Sequence, residues 1–202
     1  MEAFDYAMGL VSIVVGIAMS DLAVSFHKLF RHRRTISWDA RTLLAAALTF
    51  VVLFSMWFEI WSVRGRPEIL NYPFLLSMIV ELVLLFLMAT AVLPDEPLPN
   101  DDLAIFYDEN ARSIWTFFLL FQISYVCHWL YFKLTSPSYD LHHLLARLPA
   151  VLMVPVVAAV LLLLPQQRRL HLILITSLLL YWLVTYSGHS IAEVPPQSLR
   201  RS

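Results

Sequence analysis

Long apolar runs alternate with short polar segments along most of the chain. A helix that crosses a bilayer needs about 20 apolar residues, and six runs reach that length. They are too long and too continuous for the alternating pattern of a lipid-facing barrel strand. We therefore predict an all-α polytopic membrane protein, in which residues 1–191 form a single domain of six transmembrane helices. The predicted spans are Phe4–Phe30, Arg41–Val63, Tyr72–Leu93, Ser113–Lys133, Leu148–Leu164 and Leu170–Gly188.

Two of the polar loops contain shorter amphipathic segments. In the third loop, Asp101 or Asp102 can cap a helix that places Leu103, Phe106 and Tyr107 on one side. In the fourth loop, a serine can cap a helix with leucines at helical spacing. Helices with one apolar face lie along the membrane interface, so we predict a short interfacial helix in each loop. The tail, residues 192–202, is predicted to be disordered. The fourth-loop residues are Ser138, Leu141, Leu144, Leu145 and Leu148.

The composition supports insertion into a membrane and argues against a nucleic-acid partner. Hydrophobic residues make up 59% of the chain and charged residues only 14%, which is more apolar surface than a soluble domain of this size buries. The net charge is −1 and no polybasic tail is present, so no nucleic-acid partner is expected. Cys127 is the only cysteine, which excludes a disulfide within the chain. Acids and no basic residues precede the first apolar run, which argues against a cleaved signal peptide.

The loop charges predict the orientation. Basic residues crowd the first loop, and basic loops favour the cytoplasmic side. This places the N-terminus and the C-terminus outside and Arg168 and Arg169 inside. The third loop, residues 95–109, is acidic and is predicted to be a solvated loop, with divalent-ion sensing or docking of a basic partner as alternatives. The first-loop cluster is Lys28, Arg31, Arg33, Arg34 and Arg41.

Helix one carries small residues at regular spacing, namely Gly9, Ser12, Gly16 and Ser20. Such a stripe lets two helices approach closely in lipid. We therefore predict that helix one is central and packs through this stripe. The partner is either another helix of the chain or the same helix of a second copy.

Four ionisable side chains lie inside the apolar runs: Asp21, Glu59, Glu81 and His128. Ionisable groups in a membrane usually face protein or water and often mark ion or proton pathways. At about 1.5 Å per residue, they stand at staggered depths, as a proton or cation path requires. The alternative is that each acid bonds to a serine four residues away and only joins helices. The serines at that spacing are Ser25, Ser55 and Ser77.

Histidines are the candidate metal ligands, although no HxxxH spacing occurs. A zinc or copper site is a weak hypothesis, and haem would require His128 and His189 as axial ligands. HExxH, GxSxG and glycine-rich phosphate loops do not occur in the sequence. We therefore expect no cofactor and no enzymatic activity. The metal candidates are His128, His142, His143 and His189.

Three features of the first half carry a resemblance: glycines in the first helix, the segment MWFEIW ending the second, and the step Leu93-Pro94-Asp95 after the third. In these, the chain resembles a family of small bacterial six-helix membrane proteins. The resemblance implies a bacterial inner-membrane origin and no particular activity. The intramembrane acids favour a channel or a proton- or cation-coupled transporter. The alternative is a non-catalytic subunit or scaffold that binds itself or another membrane protein.

Overall fold

The computed structural model describes residues 3–62, 71–97, 100–135, 141–164 and 167–188. These residues contain six helices, each long and apolar enough to cross a membrane. The predicted class is confirmed: the protein is an integral, multi-pass, all-helical membrane protein. The predicted tail and His189 lie outside the described residues. The helices are α1 (Ala3–Arg31), α2 (Ala40–Ser62), α3 (Tyr72–Val92), α4 (Leu103–Thr135), α5 (Leu141–Leu163) and α6 (Arg168–Tyr186).

The two predicted interfacial helices are not separate elements. The third-loop segment forms the first turns of α4, and the described part of the fourth-loop segment forms the first turns of α5. In α4 the reason is packing: Leu103 and Tyr107 are fully buried in the bundle and continue the buried side of the helix through Ala111 and Ile114. Because the bundle covers this apolar face, the segment does not lie along the membrane interface as a separate helix.

Helices alternate in direction, so their connections gather at two ends. The basic-loop end contains residues 32–39, the described part of 93–102, and the described residues between α5 and α6. At the opposite end, α2 and α4 finish and α3 and α5 begin. We call it the cavity end, because a cavity lined by five helices lies there. At the basic-loop end, Ser37 forms a parallel bridge with Asp102, and Lys28 Nζ donates to the Asp95 carbonyl at 2.7 Å. The acidic third loop is therefore tied to the basic first loop of the same chain.

Helices α2, α3 and α4 occupy the middle of the bundle. Each contacts three or more other helices, and α2, α4, α5 and α6 form a closed ring of neighbours. Within the described residues, α1 touches only α2 and α3. The prediction that helix one is central is therefore wrong for the single chain.

The inward face of α1 also differs from the predicted one. Its buried side chains recur at alternating steps of four and three residues, the spacing of a knobs-into-holes seam. Gly9, Ser12, Gly16 and Ser20 are exposed, and a Cβ added at Gly16 would meet nothing within 4 Å. The small-residue stripe thus faces away from the bundle, apart from the Ser12 hydroxyl, which accepts from Trp57 Nε1 at 3.1 Å. The buried residues are Phe4, Met8, Val11, Val15, Ala18, Leu22, Ser25 and Leu29.

Candidate functional site

A cavity of about 460 Å³ lies in the cavity end of the bundle, surrounded by five helices, α2 to α6. This volume is typical of sites for small molecules. Glu59, Glu81 and His128, three of the four predicted pathway residues, line the cavity, whereas Asp21 of α1 does not. Its other polar and charged lining side chains are Gln122, Tyr125, Trp129, Lys133, Arg147, Tyr181, Trp182, Thr185 and Tyr186.

Glu81 and His128 join α3 to α4 across the cavity wall. Glu81 is only 2% exposed and therefore faces protein and not lipid. Its Oε1 lies 2.9 Å from His128 Nδ1. The distance is that of an ion pair when the imidazole is protonated, and the contact does not have the geometry of a hydrogen bond. The other ring nitrogen, Nε2, forms a hydrogen bond with the Ser77 hydroxyl, and the ring stacks on Phe74 with centroids 4.9 Å apart. The imidazole therefore has a polar neighbour at both nitrogens, which holds the ring in place.

Glu59 is held by two phenols. Tyr125 donates to Glu59 Oε1 at 3.1 Å, and Tyr186 donates to the same oxygen. These hydrogen bonds join α2 to α4 and α6. Glu59 and Glu81 line the same cavity. Two carboxylates in one chamber disfavour simultaneous ionisation unless a cation or a proton compensates.

The His128 ring lies between the Ser77 hydroxyl and the Glu81 carboxyl. This spatial arrangement resembles that of serine hydrolases, in which a histidine lies between a serine and an acid. Two observations speak against a nucleophile here. The Ser77 hydroxyl is 3.0 Å from the carbonyl oxygens of both Pro73 and Phe74, and Ser77 is not among the residues that line the cavity. The hydroxyl thus anchors the imidazole to α3.

The serine partners predicted for the acids bond elsewhere. Ser55 donates to the Val51 carbonyl at 2.7 Å, and Ser77 contacts the carbonyls of its own helix. This back-bonding to the preceding turn is common for helical serines. Glu59 and Glu81 instead contact side chains of other helices. Asp21 is half-buried on α1, and its Oδ2 has no hydrogen-bond partner among the described residues.

The histidine candidates do not converge. His142 is exposed and His128 pairs with Glu81, while His189 and the side chain of His143 are outside what the structure describes. In the described part of the chain, no three His, Cys, Asp or Glu side chains are grouped to hold a metal ion. The haem hypothesis depends on His189 and therefore falls outside the described residues as well.

Aromatic rings form the floor of the cavity. On α4, Phe118 and Trp115 lie about one and two turns nearer to the basic-loop end than Gln122. Both are completely buried. The Phe118 ring lies 5.8 Å from Trp115, 6.4 Å from Phe121 and 6.2 Å from Trp182, measured between centroids. These rings pack against one another at ordinary aromatic contact distances. We call Trp115, Phe118, Phe121 and Trp182 the aromatic floor, which lies on the basic-loop side of the cavity.

The basic-loop end is held together by ion pairs around the buried Arg41 and Asp39, whose further partners Asp108 and Arg168 are exposed. Arg41, 2% exposed, lies with Nε 3.1 Å from Asp39 Oδ1 and with Nη1 2.6 Å from Asp108 Oδ1. Arg168 of α6 pairs with the second Asp39 oxygen at 2.9 Å. Arg41 therefore acts as a structural link between α2 and α4, not as an exposed loop charge. We call Asp39, Arg41, Asp108 and Arg168 the ion-pair lock.

A neutral hydrogen-bonded chain lies between the lock and the aromatic floor. Trp115 Nε1 donates to the Tyr107 hydroxyl at 2.9 Å, and that hydroxyl lies 2.8 Å from His171 Nδ1. His171 Nε2 is 3.0 Å from the Leu164 carbonyl. The Arg41 guanidinium stacks over the Tyr107 ring at 4.8 Å. These contacts join α4 to α6 and connect the chain to the lock.

Several residues of the site were missed by sequence reasoning. Tyr125 lies three residues before His128, so the two share a helix face, and this spacing could have identified it. Tyr186 lies near a helix end, where tyrosine is common at membrane interfaces, and carries no such indication. The chain matches no protein-family model, no curated protein and no solved structure. The site is therefore interpreted from its own geometry.

Proposed function

We propose that the protein is a small proton-coupled membrane carrier. The observation that supports this function best is the gathering of Glu59, Glu81 and His128 around one cavity. Groups that exchange protons at a solute-sized chamber can link proton binding to solute binding. Polar and ionisable residues in membranes commonly serve this role in pumps and transporters.

A carrier fits the geometry better than a channel. The cavity reaches residues near the helix ends, such as Lys133 and Thr185, whereas the aromatic floor and the ion-pair lock fill the other half of the bundle. A chamber accessible from one end and closed at the other is one of the two states of alternating access. In the proposed cycle, the floor and the lock separate in the second state. Asp21, which is remote from the cavity lining, is left outside the proposed path.

We further propose that the cavity end faces outward and the basic-loop end faces the cytoplasm. The support is the concentration of Lys28, Arg31, Arg33 and Arg34 at one end, as the positive-inside bias requires. The resemblance of the first half to bacterial proteins supports an inner membrane as the location.

Proteoliposomes test the carrier function. The purified protein is reconstituted with a pH-sensitive dye inside, and a pH gradient or a membrane potential is imposed. A mixture of small carboxylates, amines and neutral alcohols is supplied outside, because a coupled carrier moves protons only together with its solute, and protein-free liposomes give the background flux. We expect proton flux that the double variant Glu59→Gln, Glu81→Gln abolishes, while the exposed-residue variant Glu109→Gln retains it. If the wild-type protein carries neither protons, alkali cations nor divalent cations under either gradient, the proposed function is wrong.

A second candidate function is self-association through α1. The supporting observation is that Gly9, Gly16 and Ser20 are exposed along one side of a helix that contacts only two neighbours among the described residues. Small residues on an exposed transmembrane face are typical of helix dimers. The proposed partner is the α1 helix of a second copy, which cross-linking through Ser20→Cys, with Cys127→Ala, would detect.

A further inference from the structure

The cavity contains two buried hydrogen-bond donors without a partner among the described residues. Gln122 is 2% exposed and Trp182 is 8% exposed, and both line the cavity. Gln122 Nε2 and Trp182 Nε1 are the buried atoms that lack an acceptor. Leaving a buried donor unsatisfied is unfavourable, so an acceptor that reached these two nitrogens would stabilise the site.

The acids of the cavity already have partners. Glu59 accepts hydrogen bonds from Tyr125 and Tyr186, and Glu81 has the His128 imidazole 2.9 Å away. A solute that offered only donors, such as an alkylammonium, would compete with these contacts. A solute that offers acceptor oxygens would instead satisfy Gln122 and Trp182.

The charge at the mouth of the cavity also favours an anion. Lys133, in the last turn of α4, and Arg147 of α5 both line the cavity. Basic groups at the mouth of a cleft raise the local concentration of anions. Apolar lining residues, among them Met78, Val151 and Val154, are available to a hydrocarbon body.

We infer that the cavity binds a small organic carboxylate, whose oxygens accept from Gln122 and Trp182 and whose apolar body packs on α3 and α5. This inference rests on the proposed carrier function and specifies its substrate class. An anion beside Glu59 and Glu81 is favourable only if positive charge compensates it. One proton therefore enters with each carboxylate and leaves with it on the other side, so the coupled step moves no net charge.

Calorimetric titration of the purified protein tests the substrate class. The probes are benzoate, hexanoate and acetate as carboxylates, with benzylamine and benzyl alcohol as matched solutes of other charge. We expect at least one carboxylate to bind and neither matched solute to do so. Gln122→Leu and Trp182→Phe should each weaken carboxylate binding about tenfold, the usual effect of one hydrogen bond to a charged group. The control variant Gln167→Leu removes an exposed glutamine of the same chain and should bind as the wild-type protein does.

The outcomes distinguish a failure of the proposed substrate class from a failure of the proposed carrier function. Binding of benzylamine without any carboxylate overturns the substrate class, as does carboxylate binding that Gln122→Leu and Trp182→Phe leave unchanged. If no probe binds but the proteoliposomes conduct protons, the substrate class is wrong and the carrier function stands. If no probe binds and no flux occurs, both are wrong.

Discussion

Glu81 Oε1 lies 2.9 Å from His128 Nδ1 in the wall of the cavity, and this contact joins two neighbouring helices. Neither group is easily buried alone: an ionised side chain that loses its partner in a low-dielectric environment is strongly destabilising. The pair therefore has a structural role as well as the proposed role in proton binding, and the two roles can be measured separately.

The first prediction concerns the coupling between these two residues. His128→Leu should lower the free energy of unfolding by about 1–3 kcal/mol, because it leaves the buried Glu81 carboxyl without its polar neighbour. The double variant Glu81→Met, His128→Leu should cost less than the sum of the single variants, with a coupling energy of about 1–3 kcal/mol. Unfolding by sodium dodecyl sulfate in mixed micelles measures each value. His27→Leu, at an exposed histidine, is the control, and strictly additive effects of the two variants would contradict the pairing.

The second prediction concerns the ion-pair lock. Arg41→Met should destabilise the protein by about 3–5 kcal/mol, because Asp39, 1% exposed, would keep its charge with less compensation. Arg112→Met changes an exposed arginine and should stay within about 0.5 kcal/mol of the wild-type protein. Thermal unfolding in detergent compares the two variants. Equal melting temperatures would show that the lock does not hold the basic-loop end together.

The six membrane-crossing segments could be predicted from the sequence, because length and hydropathy alone determine which segments can cross a bilayer. The starts of α4 and α5 were predicted too late, at Ser113 and Leu148 instead of Leu103 and Leu141, because their first turns contain polar residues that hydropathy excludes. The inward face of α1 could not, because lipid and protein interior are both apolar and hydropathy does not distinguish Val15 from Ile17. The small-residue stripe indicated that α1 can pack closely against a helix, but not whether the stripe faces the bundle or the lipid. Arg41 was counted as a loop charge, since only the fold reveals that Asp39 and Asp108 surround it.

The third prediction uses the same substitution at two adjacent positions of α1. Val15 is buried and Gly16 is exposed with open space beside it. Val15→Leu should therefore destabilise the single chain by about 1 kcal/mol through overpacking, whereas Gly16→Leu should leave its stability unchanged. If α1 also mediates a dimer, Gly16→Leu should reduce cross-linking through Ser20→Cys, and Val15→Leu should not. A larger loss of single-chain stability for Gly16→Leu than for Val15→Leu would contradict the observed orientation of the helix.

The fourth prediction concerns Ser77. Because its hydroxyl faces the carbonyls of α3, we expect a fluorophosphonate probe to leave Ser77 unmodified, and we expect Ser77→Ala to retain most of the proton flux. Mass spectrometry of the treated protein detects the modification, with a known serine hydrolase as the positive control. Covalent labelling of Ser77 would show that the Ser77, His128 and Glu81 side chains act as a catalytic triad instead.

The measurement that tests proton binding by the cavity acids most directly is modification with dicyclohexylcarbodiimide, which reacts with protonated carboxyl groups in apolar surroundings. The modified residues are located by peptide mass spectrometry, and proton flux is measured on the same proteoliposomes. The proposed function predicts labelling of Glu59 or Glu81 that decreases as the pH is raised, together with a loss of flux in proportion to the label. Flux that persists when both residues are fully labelled, or labelling that is absent at every pH, would contradict it.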